Sequence, residues 1–202
     1  PAHQLADEPL VSRWVDYVRK GGNLVLTCRT AQKDRYGRLP EAAFGSLING
    51  LTGNKMDFYD LLLPGDPGLV KMDGKEYQWN TWGEILIPGE TSEVWATYQK
   101  EFYEGKPAVT HYKLGKGSVT YVGVDSFDGK LEAEILKKLY ARLGIGVQSL
   151  PYGVTMEYRN GLGIVLNYSD QPYQFTLPKG AKVLIGNTLI STAGVLVFKL
   201  NN

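Results

Sequence analysis

A single cysteine, two histidines and no surplus of either charge leave this 202-residue chain little to build a catalyst from. One cysteine, Cys28, excludes an internal disulfide and any cysteine-rich zinc site. Two histidines, His3 and His111, leave few general bases. The 22 Lys and Arg residues balance 21 Asp and Glu residues, for a net charge of +1, so neither a nucleic-acid footprint nor a charged tail is present. No apolar run nears the roughly 20 residues a membrane-spanning helix needs, and the start carries no signal peptide. The first residue is Pro1 and a helix begins almost at once, so the chain is expected to be a piece of a longer one. Its free cysteine favours the cytoplasm without deciding the parent's compartment.

What is there is patterned. Leu10, Val11, Trp14, Val15, Tyr17 and Val18 recur at helical spacing between Pro9 and Lys20. Asp7 is placed to cap that helix and Gly21-Gly22 to end it. Asn23 to Cys28 is apolar almost throughout, as a buried parallel strand would be, and a helix feeding a strand is half of an α/β repeat. Arg29 to Arg38 is a polar loop, and Phe44, Leu47, Ile48 and Leu51 set a helix over Glu41 to Leu51. "LVKMDG" and "KEYQWNTWGEILIP" are strands on either side of an Asp73-Gly74 turn. "SEVWATY" and the two arms of the Gly115-Lys116-Gly117 turn add three more, with Ser118 to Val124 central in a sheet. A helix follows from Leu131 to Leu143. From Val154 onward five or six short alternating runs predict a small antiparallel sandwich or barrel, which puts a domain boundary near Pro151.

Three sets of residues could carry chemistry. "GGNLVLTCRTAQKD" places Cys28 where a strand ends and the backbone turns, a position used for nucleophiles. A thiolate needs a neighbouring base and a lowered pKa, and the glycines of a sharp elbow are missing around Thr27-Cys28-Arg29-Thr30, so the expectation is a core cysteine. Among the acids, Asp125 is best placed because it follows the Ser118–Val124 strand, but it has no partner carboxylate and reads as a turn or cap. Asp57, Asp60, Asp66, Asp73, Asp128, Glu132 and Glu134 fall at turns or on exposed helix faces. The glycines of "GKG" and "LGIGVQ" belong to a hairpin and a helix end, not to phosphate cradles. Last come the aromatics: Tyr77, Trp79 and Trp82, followed by Trp95, Tyr98, Phe102 and Tyr103. Core, subunit interface and sugar contact remain open for them, in that order.

The order of three strings resembles the C-terminal part of family-42 β-galactosidases. They are "WVDYVRKGGNLVLTCRT", "EVWATYQKEFYEGKPAVTHYKLGKGSVTYVGVDS" and "LPYGVTMEYRNGLGIVLNYSDQPYQFTLP", and together they span nearly the whole chain. The resemblance implies a flavodoxin-like, class I glutamine amidotransferase-like three-layer α/β domain over residues 1–150, without a working nucleophile. A small antiparallel all-β domain over 151–202 would follow it. It further implies that both catalytic glutamates and any metal ligands lie in an N-terminal barrel, so that no catalytic, cofactor or metal residue is expected in this chain. The parent would hydrolyse terminal β-galactosides by the retaining, two-carboxylate route. The chain's partners would be its own barrel and the other subunits of a homotrimer, with Tyr77, Trp79 and Trp82 near a galactoside; neither nucleic acid nor membrane is expected. Two alternatives stand beside this: a carbohydrate-binding module using those three aromatics, and a thiol amidotransferase or peptidase using Cys28.

Overall fold

A computed structural model describes residues 3–40 and 45–200, in two compact units, Pro1–Leu139 and Tyr140–Asn202. In the first unit, α1 (Glu8–Arg19) starts as the sequence predicts: Asp7 Oδ1 accepts the Leu10 N–H at 3.0 Å and Pro9 occupies the first turn. Strand β1 (Asn23–Thr27) follows. The helix expected over Glu41 to Leu51 lies partly outside the described residues; what is described is one 3-10 turn, Ser46–Ile48, leading into α2 (Asn49–Thr52).

Seven strands then succeed one another with no helix between them: β2 (Asn54–Leu61), β3 (Gly68–Met72), β4 (Lys75–Pro88), β5 (Glu93–Tyr98), β6 (Pro107–Leu114), β7 (Gly117–Val122) and β8 (Val124–Ser126), before α3 (Lys130–Arg142). The sheet order is β1-β7-β6-β5-β3-β4-β2, with β8 also on β4. Among the described strands of this sheet only β1 and β7 pair in parallel, and one isolated parallel bridge joins Leu5 to Lys33.

This corrects the expected fold class. The unit is mostly β, a mixed and largely antiparallel sheet, and not a flavodoxin-like or class I glutamine amidotransferase-like three-layer α/β domain. Each parallel neighbour needs a crossover of a dozen or more residues, whereas antiparallel neighbours need only a turn. Asp73 and Gly74 show which device dominates. Both are left-handed (φ 49° and 82°), the geometry that matches the twist of a hairpin and sets Met72 opposite Lys75. Helix-to-strand alternation at the start and end of the unit imitates an α/β repeat, but the middle does not continue it.

Two cores form around the sheet. Val11 and Val18 of α1 pack with Leu26, Leu51, Leu86, Val119 and Tyr121. Leu131, Ile135 and Leu139 of α3 pack with Trp79, Trp95, Tyr98, Val109 and Val122. All six residues of β7 are buried, as a central strand requires. Beyond β7 the chain threads between β4 and β6 at Gly123, whose N–H donates to the Ala108 carbonyl at 2.8 Å while its own carbonyl accepts the Glu84 N–H at 2.7 Å.

The second unit contains antiparallel pairs alone among its described strands: β9 (Val154–Arg159), β10 (Leu162–Asn167), β11 (Tyr173–Gln174), β12 (Lys182–Ile185), β13 (Leu189–Ile190) and β14 (Val195–Lys199). Four form a sheet in the order β12-β14-β10-β9, and β11 pairs β13. Val154, Val165, Phe175, Ile190, Leu196 and Phe198 make its core. Buried Asn167 fastens the loops: its Nδ2 donates to the carbonyls of Gln171, Ile190 and Ser191, and its Oδ1 accepts from the N–H and hydroxyl of Ser169.

Candidate functional site

The end of β1 is where the sequence most resembles an active site. Beyond Thr27 the backbone turns, held by the Thr30 hydroxyl donating to the Thr27 carbonyl at 2.6 Å. The left-handed residues of this turn are Arg29 (φ 66°) and Ala31 (φ 57°), not Cys28. A nucleophile elbow puts the strained conformation on the nucleophile itself, to thrust its side chain outward. Here Cys28 is buried instead.

A carboxylate occupies the ground beneath the turn. Glu84, on β4 and 1% exposed, accepts the Arg29 N–H at 2.8 Å and the Trp82 indole N–H at 3.0 Å through Oε1. Its Oε2 accepts the Tyr121 hydroxyl at 2.6 Å, and its backbone carbonyl accepts the Tyr98 hydroxyl at 2.9 Å. Burial pushes the Glu84 carboxyl above its ordinary value, opposed by the bonds from Tyr121, the Arg29 N–H and Trp82 and by the Arg29 charge. Above this pin the Trp82 ring stacks on Tyr59 at 4.3 Å and carries the Arg29 guanidinium 5.0 Å from its centroid. Arg29 Nε also donates to Gln32 Oε1 at 3.2 Å.

This arrangement holds a backbone; it does not activate a thiol. Burial raises the Cys28 pKa, the charges of Glu84 and Asp125 raise it further, and Arg29 opposes them, so the thiol keeps its proton at neutral pH. His111 faces Thr120 across β6 and β7, and Thr120 faces Val25 of β1, three residues before Cys28. Two strand spacings and three residue rises place the Cα atoms of His111 and Cys28 roughly 14 Å apart. His111 is engaged by the Thr120 hydroxyl at 2.9 Å and by the Trp95 ring stacked at 4.4 Å. The His3 ring turns edge-on to Trp14. Asp125 is exposed on β8. Among the described residues no three metal-binding side chains come together. A cavity of about 530 Å³ between α2 and the β4–β5 turn has one carboxylate, Glu90, in its lining and no histidine or cysteine.

Tyr77, Trp79 and Trp82 do not share one surface. Trp79 is buried in the core with α3, edge-on to Tyr98 at 5.6 Å, while Tyr77 is half-buried. A bulge between Trp79 and Gly83, with Thr81 left-handed at φ 61°, sends the buried Trp82 ring to Glu84 and Tyr59 instead. The sequence reading missed Glu84, Tyr121 and Tyr59. A signal for the first was visible: "WGEILIP" sets one carboxylate in an apolar strand, in step with Trp82 and Leu86.

Comparison with known protein families matches residues 1–150 to the β-galactosidase trimerisation domain and residues 153–200 to the β-galactosidase C-terminal domain. β-Galactosidase BgaH of Haloferax lucentense is 30% identical over 190 residues, which cover 94% of this chain and 28% of that protein. β-Galactosidase BgaA of Clostridium cellulovorans is 30% identical over 194 residues, 94% of this chain and 29% of that one. Among solved structures, the β-galactosidase of the Antarctic haloarchaeon Halorubrum lacusprofundi superposes with a TM-score of 0.83 at 25% identity, over 98% of this chain and 30% of that one. The β-galactosidase of Bacillus circulans sp. alkalophilus shares the fold at a TM-score of 0.81 and 19% identity, over 98% and 32%. The chain thus spans about 30% of the length of the proteins it matches.

Proposed function

The chain belongs to the family-42 β-galactosidases, whose trimerisation and C-terminal domains it carries, and on that footing we propose that it is the non-catalytic, assembly-forming part of a retaining β-galactosidase. In this reading the parent cleaves terminal β-galactosides with two carboxylates roughly 5 Å apart, both on a barrel outside this chain. This chain joins its barrel to two further copies in a homotrimer. The observation that carries the reading is the sealed end of β1: three donors converge on Glu84, and the neighbouring thiol is buried and protonated. A division near Pro151, with residues 1–150 and 151–202 as separate domains, is part of the same proposal. It is supported by an exposed stretch without secondary structure from Ile145 to Ser149 and by the packing of Leu150 against the second unit's core.

Two measurements test this. The purified chain should release no nitrophenol from nitrophenyl β-galactoside, and it should sediment as a trimer at micromolar concentration. Turnover above the blank overturns the non-catalytic reading, and a monomer overturns the assembly reading.

A further inference from the structure

Four places in the chain set a glycine after an asparagine or aspartate: Asn49-Gly50, Asp73-Gly74, Asp128-Gly129 and Asn160-Gly161. In such a pair the glycine nitrogen can close a five-membered ring on the side-chain carbonyl carbon, and glycine has no Cβ to obstruct it. Three of the four are held. Asn49 enters α2 with a helical backbone (φ −55°, ψ −44°), and its amide, with the nitrogen turned toward them, donates to the Gly45 and Asn54 carbonyls at 3.2 Å. The Asp73 carboxylate accepts from the Lys138 ammonium at 2.8 and 2.9 Å, and the Asp128 carboxylate takes both the N–H and the ammonium of Lys130. A carboxylate kept as an anion in this way is also a poor electrophile. Asn160-Gly161 is different. It is the two-residue turn of the β9–β10 hairpin, setting Arg159 opposite Leu162, and both residues are left-handed (φ 52° and 76°). Both are exposed, and among the described residues nothing bonds the Asn160 amide or takes the Gly161 N–H. Only the Gly161 carbonyl is tied, accepting the Leu200 N–H at 3.0 Å. Strand β9 lies at the edge of its sheet, bonded to β10 alone, and its last residues, Glu157 to Arg159, are exposed. The turn end can therefore open while the core around Val154 and Val165 stays closed.

We propose that Asn160 is a site of spontaneous deamidation, and that the isoaspartate formed there unfastens the β9–β10 hairpin. The left-handed turn does not align the reacting groups, so ring closure waits on opening of the hairpin end. The Gly161 nitrogen, its proton lost to solvent base, then attacks Cγ of Asn160. The bond from Cγ to the side-chain nitrogen breaks, and ammonia leaves with a proton from water. The succinimide left behind takes up one water and opens at either carbonyl, to aspartate or to isoaspartate. Isoaspartate carries the main chain through the former side chain, which adds one carbon between positions 160 and 161. Turn length sets hairpin register, and here two residues close the Arg159–Leu162 pair. The lengthened turn no longer matches that pairing, whereas aspartate leaves the backbone as it was. None of this depends on the trimer reading above.

Ageing the chain in mildly alkaline buffer tests this. Peptide mass spectrometry places the deamidation, and an isoaspartyl methyltransferase labels the rearranged product. In the native chain Asn160 should convert roughly tenfold or more faster than Asn49, as an exposed turn on an edge strand opens more readily than α2, whose Leu51 and Thr52 are buried. In guanidinium the two should convert at similar rates, because both are then Asn-Gly pairs in an open chain. A native Asn49 that reacts as fast as Asn160, or a native Asn160 that survives while the unfolded one is consumed, overturns the proposal. Freshly prepared Asn160→Asp separates the new charge from the added carbon. Amide hydrogen exchange at Tyr158 and Leu162 should be roughly tenfold faster in the isoaspartate form than in Asn160→Asp. Equal exchange in the two would mean that the turn accommodates the longer backbone, and would overturn the hairpin's part in the proposal.

Discussion

The Tyr121 hydroxyl donates to Oε2 of Glu84 at 2.6 Å across 37 positions of sequence, tying β7 to β4 under the end of β1. With the Arg29 and Trp82 donors on Oε1, it makes Glu84 the acceptor on which the turn after β1 is built. Glu84→Leu leaves three buried donors without an acceptor, while it also removes a buried charge that is costly to desolvate. The donors outweigh the charge, and a net loss of about 2–4 kcal/mol is expected in urea unfolding. Tyr121→Phe removes one bond to a charged group and should cost about 1.5–3 kcal/mol. A loss under half a kilocalorie for Glu84→Leu would show that the turn holds without its pin.

The pH dependence has a definite sign. Burial raises the folded carboxyl of Glu84 above its ordinary value. In the window from the ordinary glutamate range up to that raised value, the folded chain therefore binds more protons than the unfolded chain. Stability contributed by Glu84 is then full at acid pH, falls as pH rises through that window, and is level above it. Glu84→Gln removes the titration and keeps an acceptor for two donors. The difference in Tm between wild type and Glu84→Gln should shift against the wild type from acid to neutral pH. Parallel Tm profiles for the two proteins would contradict this.

Gly123 admits no side chain. A Cβ there would stand 2.8 Å from the Glu84 carbonyl oxygen and 2.9 Å from that of Ala108, both backbone atoms in paired strands. Gly123→Ala must push β4 and β6 apart or break the bonds that Gly123 makes to them, and a loss of about 2–4 kcal/mol is expected by analogy with overpacked cores. Denaturant titration measures it. An unchanged midpoint would mean the three strands yield freely at this crossing.

Much of the architecture was legible where local physics decides it. The Asp7 cap, the Asp73-Gly74 turn and the β-branched, fully buried β7 each follow from a few adjacent residues. The fold class was not legible, because the first and last helices of the unit carry an α/β rhythm that the seven strands between α2 and α3 interrupt. Strand β2 escaped notice because Asp60 falls in the inward phase of Met56 and Phe58, where it is spoken for by Tyr103. The family strings fell where the trimerisation and C-terminal domain matches fall. The setting of Trp82 depended on a bulge, and a bulge has no pattern in a single sequence. Glu84 joins residues 37 and 55 positions away, a distance at which neighbouring letters carry no information.

Cys28 offers a direct check on the sealed strand end. A buried thiol held protonated by its surroundings should resist iodoacetamide in the native chain and react fully once the chain is unfolded in guanidinium. Mass spectrometry of the two samples reads this directly. Native modification as fast as that of a small free thiol would mean that the turn opens.

The stretch between α3 and β9 makes the last expectation. Residues 141–149 are all exposed, and from Ile145 to Leu150 there is no regular secondary structure. Leu150 packs against the second unit's core. A protease needs several unpaired backbone residues to enter its cleft, and this segment supplies them without unfolding either core. Thermolysin, which cuts before bulky apolar residues, should nick the native chain first before Ile145 or Val147 and leave two products that resist further digestion. Because each product keeps its own core, the melting transition of the first unit should persist after the cut. First cleavage inside β4 or β10, or loss of that transition on nicking, would show that the two units do not fold as separate domains.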